Sequence, residues 1–156
     1  MYPLGCGEMV CHVLLVETDN GLVLIDTGFG SKDCDDPALR EKWRGFAAAK
    51  ELDEVSPGIA LISLPGHTRG HACVAVDAGH RWVLHCGDAY FHYGTVDGTA
   101  AMPRALAAFE SVTAFDRKMV RQNHARLTEL YRRREPDMFM VCSHDRTLYE
   151  QAKTTV

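Results

Sequence analysis

Apolar residues fall into short runs punctuated by glycine, asparagine and aspartate. From Glu8 to Thr18 the chain is rich in valine and leucine, Asp19-Asn20-Gly21 follows, and Leu22 to Ile25 is apolar again. Asn-Gly accepts the positive φ of a tight turn, so this stretch predicts a β-hairpin. Asp26-Thr27-Gly28 closes the second strand, and Gly28 and Gly30 flank Phe29 in a loop. Asp36-Pro37 has the form of a helix cap followed by a first-turn proline, and Ala38 to Leu52 continues in helix-forming residues, predicting a helix. Ile59 to Leu64, Cys73 to Val76 and Trp82 to Cys86 predict three strands, the first and third buried on both faces. Pro103 to Arg134 places Leu106, Phe109, Val112 and Phe115, then Leu127, Leu130 and Tyr131, at helical spacing, predicting two helices with a break near Asp116. Met138 to Cys142 predicts a last strand, Ser143-His144-Asp145 its exit loop, and Leu148 to Lys153 a terminal helix.

With 156 residues, 46% of them hydrophobic and 24% charged, the chain has the size and balance of one globular domain. A net charge of -4 provides no basic field to gather phosphates, which argues against nucleic acid as a partner. The one basic run, Arg132 to Arg134, ends a predicted helix, where cations complement the helix dipole. Cys6, Cys11, Cys34, Cys73, Cys86 and Cys142 form no CxxC pair, and buried free thiols fit them best. The chain has no basic-then-apolar leader and no apolar run near the roughly 18 residues of a membrane span, so a soluble cytoplasmic protein without a membrane partner is expected.

Candidate chemistry collects where predicted strands end. Leu64-Pro65-Gly66-His67-Thr68-Arg69-Gly70-His71 sets two imidazoles four residues apart in a glycine-bounded loop, and neutral imidazole is a good zinc ligand. Leu84-His85-Cys86-Gly87-Asp88-Ala89 is a strand that delivers a carboxylate able to bridge two cations. Cys142-Ser143-His144-Asp145 delivers a histidine in the same way. Tyr90 is open to two roles: a hydrogen-bond donor to a substrate carbonyl, or an aromatic packed beside Phe91. His12 reads as a hydrogen-bonded core or edge residue, and His80, His85, His92 and His124 are weak metal candidates.

The order DTG, PGHTxGH, GD and a final strand ending in histidine resembles the metallo-β-lactamase superfamily, on its lactonase and glyoxalase II side, over most of the chain. PGHTxGH is the most specific element. The resemblance implies an α/β fold, a four-layered αββα sandwich with the site at one edge of its two sheets. It also implies His67 on a first metal, Asp88 bridging two metals and His144 on the second. Asp26 would orient groups beneath the site, and His71 would be structural within the loop that carries His67. The activity implied is zinc-dependent hydrolysis of a small molecule with a hydrolysable carbonyl (an ester, thioester, lactone or amide) by a metal-activated water.

One element of the family pattern is absent. Members carry a His-x-His-x-Asp-His loop after the DTG strand, whereas no histidine stands between Gly28 and Leu64 here. Asp33, Cys34, Asp35 and Asp36 are read as solvated side chains. Without that loop each zinc keeps two protein ligands, below the three usual at a catalytic site. Two ions are expected if the segment exists, and one or none if the chain is complete as it stands. A single ion on His67, Asp88 and His144 would need the site to contract. The resemblance places the interruption between Arg40 and Glu41, within a single domain shortened in its first half. The alternatives to a hydrolase are an inactive binding module on the same sandwich, or a truncated product whose uncovered sheet aggregates or forms a homodimer.

Overall fold

The structure, a computed structural model, describes residues 11–25 and 41–154. Asp26, the four acidic and thiol residues from Asp33 to Asp36, Cys6 and the Arg40 side of the Arg40–Glu41 connection lie outside them. The predicted hairpin is present as β1 (Leu14–Thr18) and β2 (Gly21–Ile25), antiparallel, with Leu14 opposite Ile25 and Thr18 opposite Gly21.

Where a helix is expected up to Leu52, the described part of the segment is instead a second hairpin, β3 (Glu41–Trp43) and β4 (Phe46–Glu51). Its turn is made by Arg44 and Gly45, with φ of 43° and 97°, the paired positive values of a tight strand reversal. Arginine gives no turn signal in a sequence. The helix-forming run Phe46-Ala47-Ala48-Ala49-Lys50-Glu51 takes the extended form because β4 completes a ladder with β5 (Ile59–Ser63), and tertiary pairing outweighs a few tenths of a kcal/mol per residue of helix propensity.

The other strands follow as expected: β6 (Ala72–Asp77), β7 (Trp82–His85) and β8 (Met138–Val141). They build one six-stranded sheet in the order β3-β4-β5-β6-β7-β8, antiparallel except for the parallel β7–β8 pair. A parallel pair needs a crossover, and three helices supply it: the short α1 (Gly94–Asp97), α2 (Arg104–Thr113) and α3 (Arg117–Arg132). The break near Asp116 is a helix cap, its carboxylate accepting from the Lys118 and Met119 N–H groups. A final helix, α4 (Arg146–Thr154), follows β8.

The core lies between the sheet and the crossover helices. Ile62, Cys73, Ala75, Leu84, Cys86, Met140 and Cys142 meet Leu127 and Leu130 of α3, each leucine contributing roughly 1.5–3 kcal/mol by burial. Cys73, Cys86 and Cys142 are the expected buried free thiols, whereas Cys11 is exposed. Burial pushes the Cys86 and Cys142 thiols well up from the ordinary thiol range. Arg44 clasps the far end of the sheet through ion pairs to Glu135 and Asp137, and Arg133, after the last turn of α3, donates to the Arg44 carbonyl.

Alternation along β7 sends Val83 and His85 to the opposite face, where with Phe139 and Val141 they line a cavity of about 210 Å³ beneath His12, Val13 and Leu14. The start of the first hairpin therefore lies over the face opposite the crossover helices, which it shares with Tyr149 and Ala152 of α4. Its own outer face is apolar: Val13, Leu15, Leu22 and Leu24 are 49–67% exposed. Strands apolar on both sides belong between two layers, and among the described residues nothing covers the outer side. The protein is expected to associate at micromolar concentration, with light scattering giving more than one chain per particle, and Leu22→Lys with Leu24→Lys should shift it toward single chains.

Candidate metal centre

His67 sits in the loop between β5 and β6, and the start of α3 pins that loop. The Asp116 N–H donates to the Gly66 carbonyl and the Phe115 N–H to the His67 carbonyl, both at 2.9 Å. From the buried face of α3, the Asn123 amide donates to the Pro65 carbonyl at 2.7 Å. Asn123 falls in register with Val120, Leu127 and Leu130, and a polar residue on that apolar stripe is the signal by which the sequence could have exposed this support.

Asp88 follows β7 after Gly87, whose φ is +54° and whose hydrogen stands where a Cβ would lie 3.0 Å from His71 Nε2. A side chain there would displace the imidazole. His71 Nδ1–H donates to the Leu64 carbonyl at 3.1 Å, and its Nε2 accepts from the Asp88 N–H at 3.0 Å. His71 thus locks the strand end that carries Asp88 to the loop that carries His67, the structural role expected of it. His144 arrives from β8, because the Ser143 N–H donates to the Gly87 carbonyl and draws the two strand ends together. Asp145 fixes its exit by accepting from the Tyr93 N–H at 2.6 Å and from the Leu148 N–H at 3.1 Å, capping α4.

The three residues, far apart in sequence, converge. His67 Nε2 is 3.4 Å from Asp88 Oδ2, and His144 Nε2 is 2.9 Å from Asp88 Oδ1, with all three side chains 12–14% exposed. Each oxygen of one carboxylate thus meets a different imidazole. Burial pushes the Asp88 carboxyl up, but the His144 contact and the charges of His144, His67 and His71 outweigh it and hold the group below the usual carboxylate range. Phe91, 2% exposed, is the member of the site that sequence reasoning left as packing. Its ring lies edge-on to His144 at 4.7 Å and tilted to His67 at 5.7 Å, holding the two imidazoles on either side of the carboxylate.

Tyr90 does not join them. It is 1% exposed within the core cluster, and burial raises its hydroxyl well above the ordinary range, so of its two possible roles the structure shows the packed aromatic. His12 lies just before β1, its N–H donating to the Ser143 carbonyl and its ring stacked on Tyr149 at 4.3 Å. His124 on α3 contacts the Ala89 carbonyl.

The donors fit a metal in kind. Two ligands on one tetrahedral zinc, each about 2.0–2.2 Å from it, stand roughly 3.3 Å apart, close to both His–Asp separations. Asp88 Oδ1 is buried without a hydrogen bond of good geometry, although His144 Nε2 is near, and buried His67 Nδ1 has no hydrogen-bond partner among the described residues. Such orphaned atoms are costly unless a cation or a further ligand answers them. The number falls short: among the described residues no three His, Cys, Asp or Glu side chains are grouped to hold one ion.

Two outcomes follow from this framework. Asn123→Leu, which strips the Pro65 carbonyl of its donor, should cost about 1–3 kcal/mol in thermal or urea unfolding. Burial, foremost, lowers the His71 pKa from the ordinary 6.5 to about 4, so the folded state keeps this ring neutral while the unfolded chain protonates it. Its contribution is full above pH 6.5 and is lost as the pH falls toward 4, about 3 kcal/mol in all, readable as acid-side loss of urea stability in metal-free protein.

No family model matches the chain. Two curated relatives do: proteins described as probable metallo-hydrolases from Mycobacterium bovis and Mycobacterium tuberculosis, each 35% identical over 257 residues, covering 99% of this chain and 83% of the relative. A match of 257 residues against a chain of 156 leaves positions of the relatives that face no residue here. Among solved structures, an N-acyl homoserine lactone hydrolase with N-hexanoyl-L-homoserine at its catalytic metal centre is 22% identical with a TM-score of 0.46. That likeness covers 68% of this chain and 36% of the lactone hydrolase. A probable metal-dependent hydrolase from Staphylococcus aureus is 15% identical with a TM-score of 0.42, covering 57% of this chain and 28% of its own. More than a third of residues shared along the whole length, in a chain whose strand ends bring His67, Asp88 and His144 together, is the mark of common descent, and the chain belongs to the family of these metallo-hydrolases.

Proposed function

We propose that this chain is built for zinc-dependent hydrolysis of a small ester, thioester or lactone. The observation that carries the reading is the division of Asp88 between two imidazoles: a carboxylate that presents Oδ2 to His67 and Oδ1 to His144 is arranged to bridge two cations. In this reading His67 and Asp88 hold one ion, and His144 and Asp88 the other. Bound zinc would supply the chemistry by lowering the pKa of a water toward neutrality and polarising a carbonyl.

The chain's own residues do the rest. Asp88, largely withdrawn from water, offers its charge where the dielectric is low and electrostatic attraction is strong. His71 keeps the Asp88 backbone in place through a ring nitrogen that must stay unprotonated to accept, and Phe91 excludes water from the inner side of both imidazoles. Asp26 would orient groups beneath the site.

The ligand count favours a second reading. With two protein donors per ion instead of three, the chain would be an inactive binding module unless a further segment completes the centre. The excess of the relatives' match over this chain's length supports an interruption, which we place at the Arg40–Glu41 junction. Zinc analysis and turnover of an ester, thioester and lactone panel decide between the readings. The hydrolase should bind about two ions, and Asp88→Ala or His67→Ala should lower both metal content and rate, the rate roughly a hundredfold or more. A folded chain that takes up no zinc and turns over nothing establishes the module, and an Asp88→Ala protein that keeps its zinc and its rate removes Asp88 from the centre.

A further inference from the structure

A cavity of about 350 Å³ lies among α1, the end of α3, β8 and α4, and none of His67, Asp88 and His144 lines it. Buried Tyr90, Val96 and Met140 close its inner end, and Tyr131 and Arg134, both exposed, stand where it meets solvent. Its volume is that of a pocket for a small organic molecule, and its interior is apolar and aromatic.

Two carboxylates and one guanidinium also line it, and their partners decide the charge of what fits. Glu135 pairs with Arg44, and Asp97 accepts from the Thr99 N–H at 2.8 Å and from its hydroxyl at 2.9 Å. The Arg134 guanidinium has no ion-pair or hydrogen-bond partner among the described residues, and neither has the hydroxyl of Tyr93 or of Tyr131. Arg134 follows the cap residue of α3 with φ of 50°, a left-handed position that glycine usually fills. Glycine would take that conformation without strain, so arginine contributes here through its side chain alone. The acids are answered and the cation is not. Asp97 and Glu135 would still repel a second negative charge, which favours a monoanion over a phosphate dianion.

We infer that this cavity is a second binding site, for a small organic monocarboxylate. The apolar body, an aromatic ring or a short branched chain, packs on Tyr90, Val96 and Met140, and the carboxylate meets Arg134 at the mouth. The site is separate from the one proposed for hydrolysis and requires neither a metal nor turnover.

The test titrates benzoate into the full chain carrying isotope-labelled methionine methyls, read by NMR. Met138 and Met140 line the cavity, whereas Met119 lies in the first turn of α3, which pins the His67 loop. The Met138 and Met140 signals should move saturably, with half-saturation at roughly millimolar benzoate, the range open to so small a ligand, and Met119 should stay in place. Benzamide, of the same shape without the charge, should bind about tenfold more weakly. Arg134→Gly should weaken benzoate by at least about tenfold while the unfolding temperature holds or rises. The benzamide comparison, made on the unaltered chain, stands whatever the variant does. Unmoved or unsaturable Met138 and Met140 signals overturn the site, as does benzamide binding as tightly as benzoate or an affinity for benzoate that survives Arg134→Gly in a folded chain. A response of Met119 alone also overturns it, since the carboxylate then sits at the metal centre. The two readings fail separately: benzoate binding at Arg134 without turnover of any ester, thioester or lactone keeps this site and sinks the hydrolase, and turnover without such binding does the reverse.

Discussion

A carboxylate taken out of water must be answered by positive charge or by hydrogen bonds, and the fold is organised around answering that of Asp88. Its oxygens face His67 and His144, its backbone N–H is held by His71, and Phe91 closes the space behind. Apart from Phe91, three residues on, these partners are far from it along the chain. They arrive because β5, β6, β7 and β8 lie side by side and end at the same edge of one sheet. Strand pairing fixes the site to within a few ångströms, and the Ser143 to Gly87 hydrogen bond sets the remainder.

The crossover helices serve the same centre from behind. α3 fills the core with Leu127 and Leu130, and from the same face sends Asn123 to the Pro65 carbonyl. One helix thus couples hydrophobic burial, which stabilises the domain, to a polar contact that positions a loop. Loosening the core should therefore be felt at His67 as well as in overall stability.

How much of this a reader of the sequence could see depends on the distance over which each signal acts. The Asp19-Asn20-Gly21 turn, the apolar runs of β5 to β8 and the Asp116 break are local chemistry, and each is legible. β4 is not, because its alanine-rich segment favours a helix by itself and becomes a strand through pairing with β5, information that no short window holds. At the site, glycine-bounded histidines and a strand-end aspartate announce themselves. Phe91 and Asn123 do not, since an aromatic or an amide acquires its role only from what the fold brings against it. Asp26 lies outside the described residues.

The three sulfurs enclosed between the sheet and α3 have a practical meaning. Cys73, Cys86 and Cys142 are buried, and burial holds the protons of Cys86 and Cys142 firmly, while Cys11 faces solvent. An alkylating reagent attacks the thiolate and must reach it, so these three become reactive only when the domain opens. The speed at which they are modified in native buffer is then a clock of breathing in the layer that supports the cation-binding edge, readable by mass spectrometry without any introduced label.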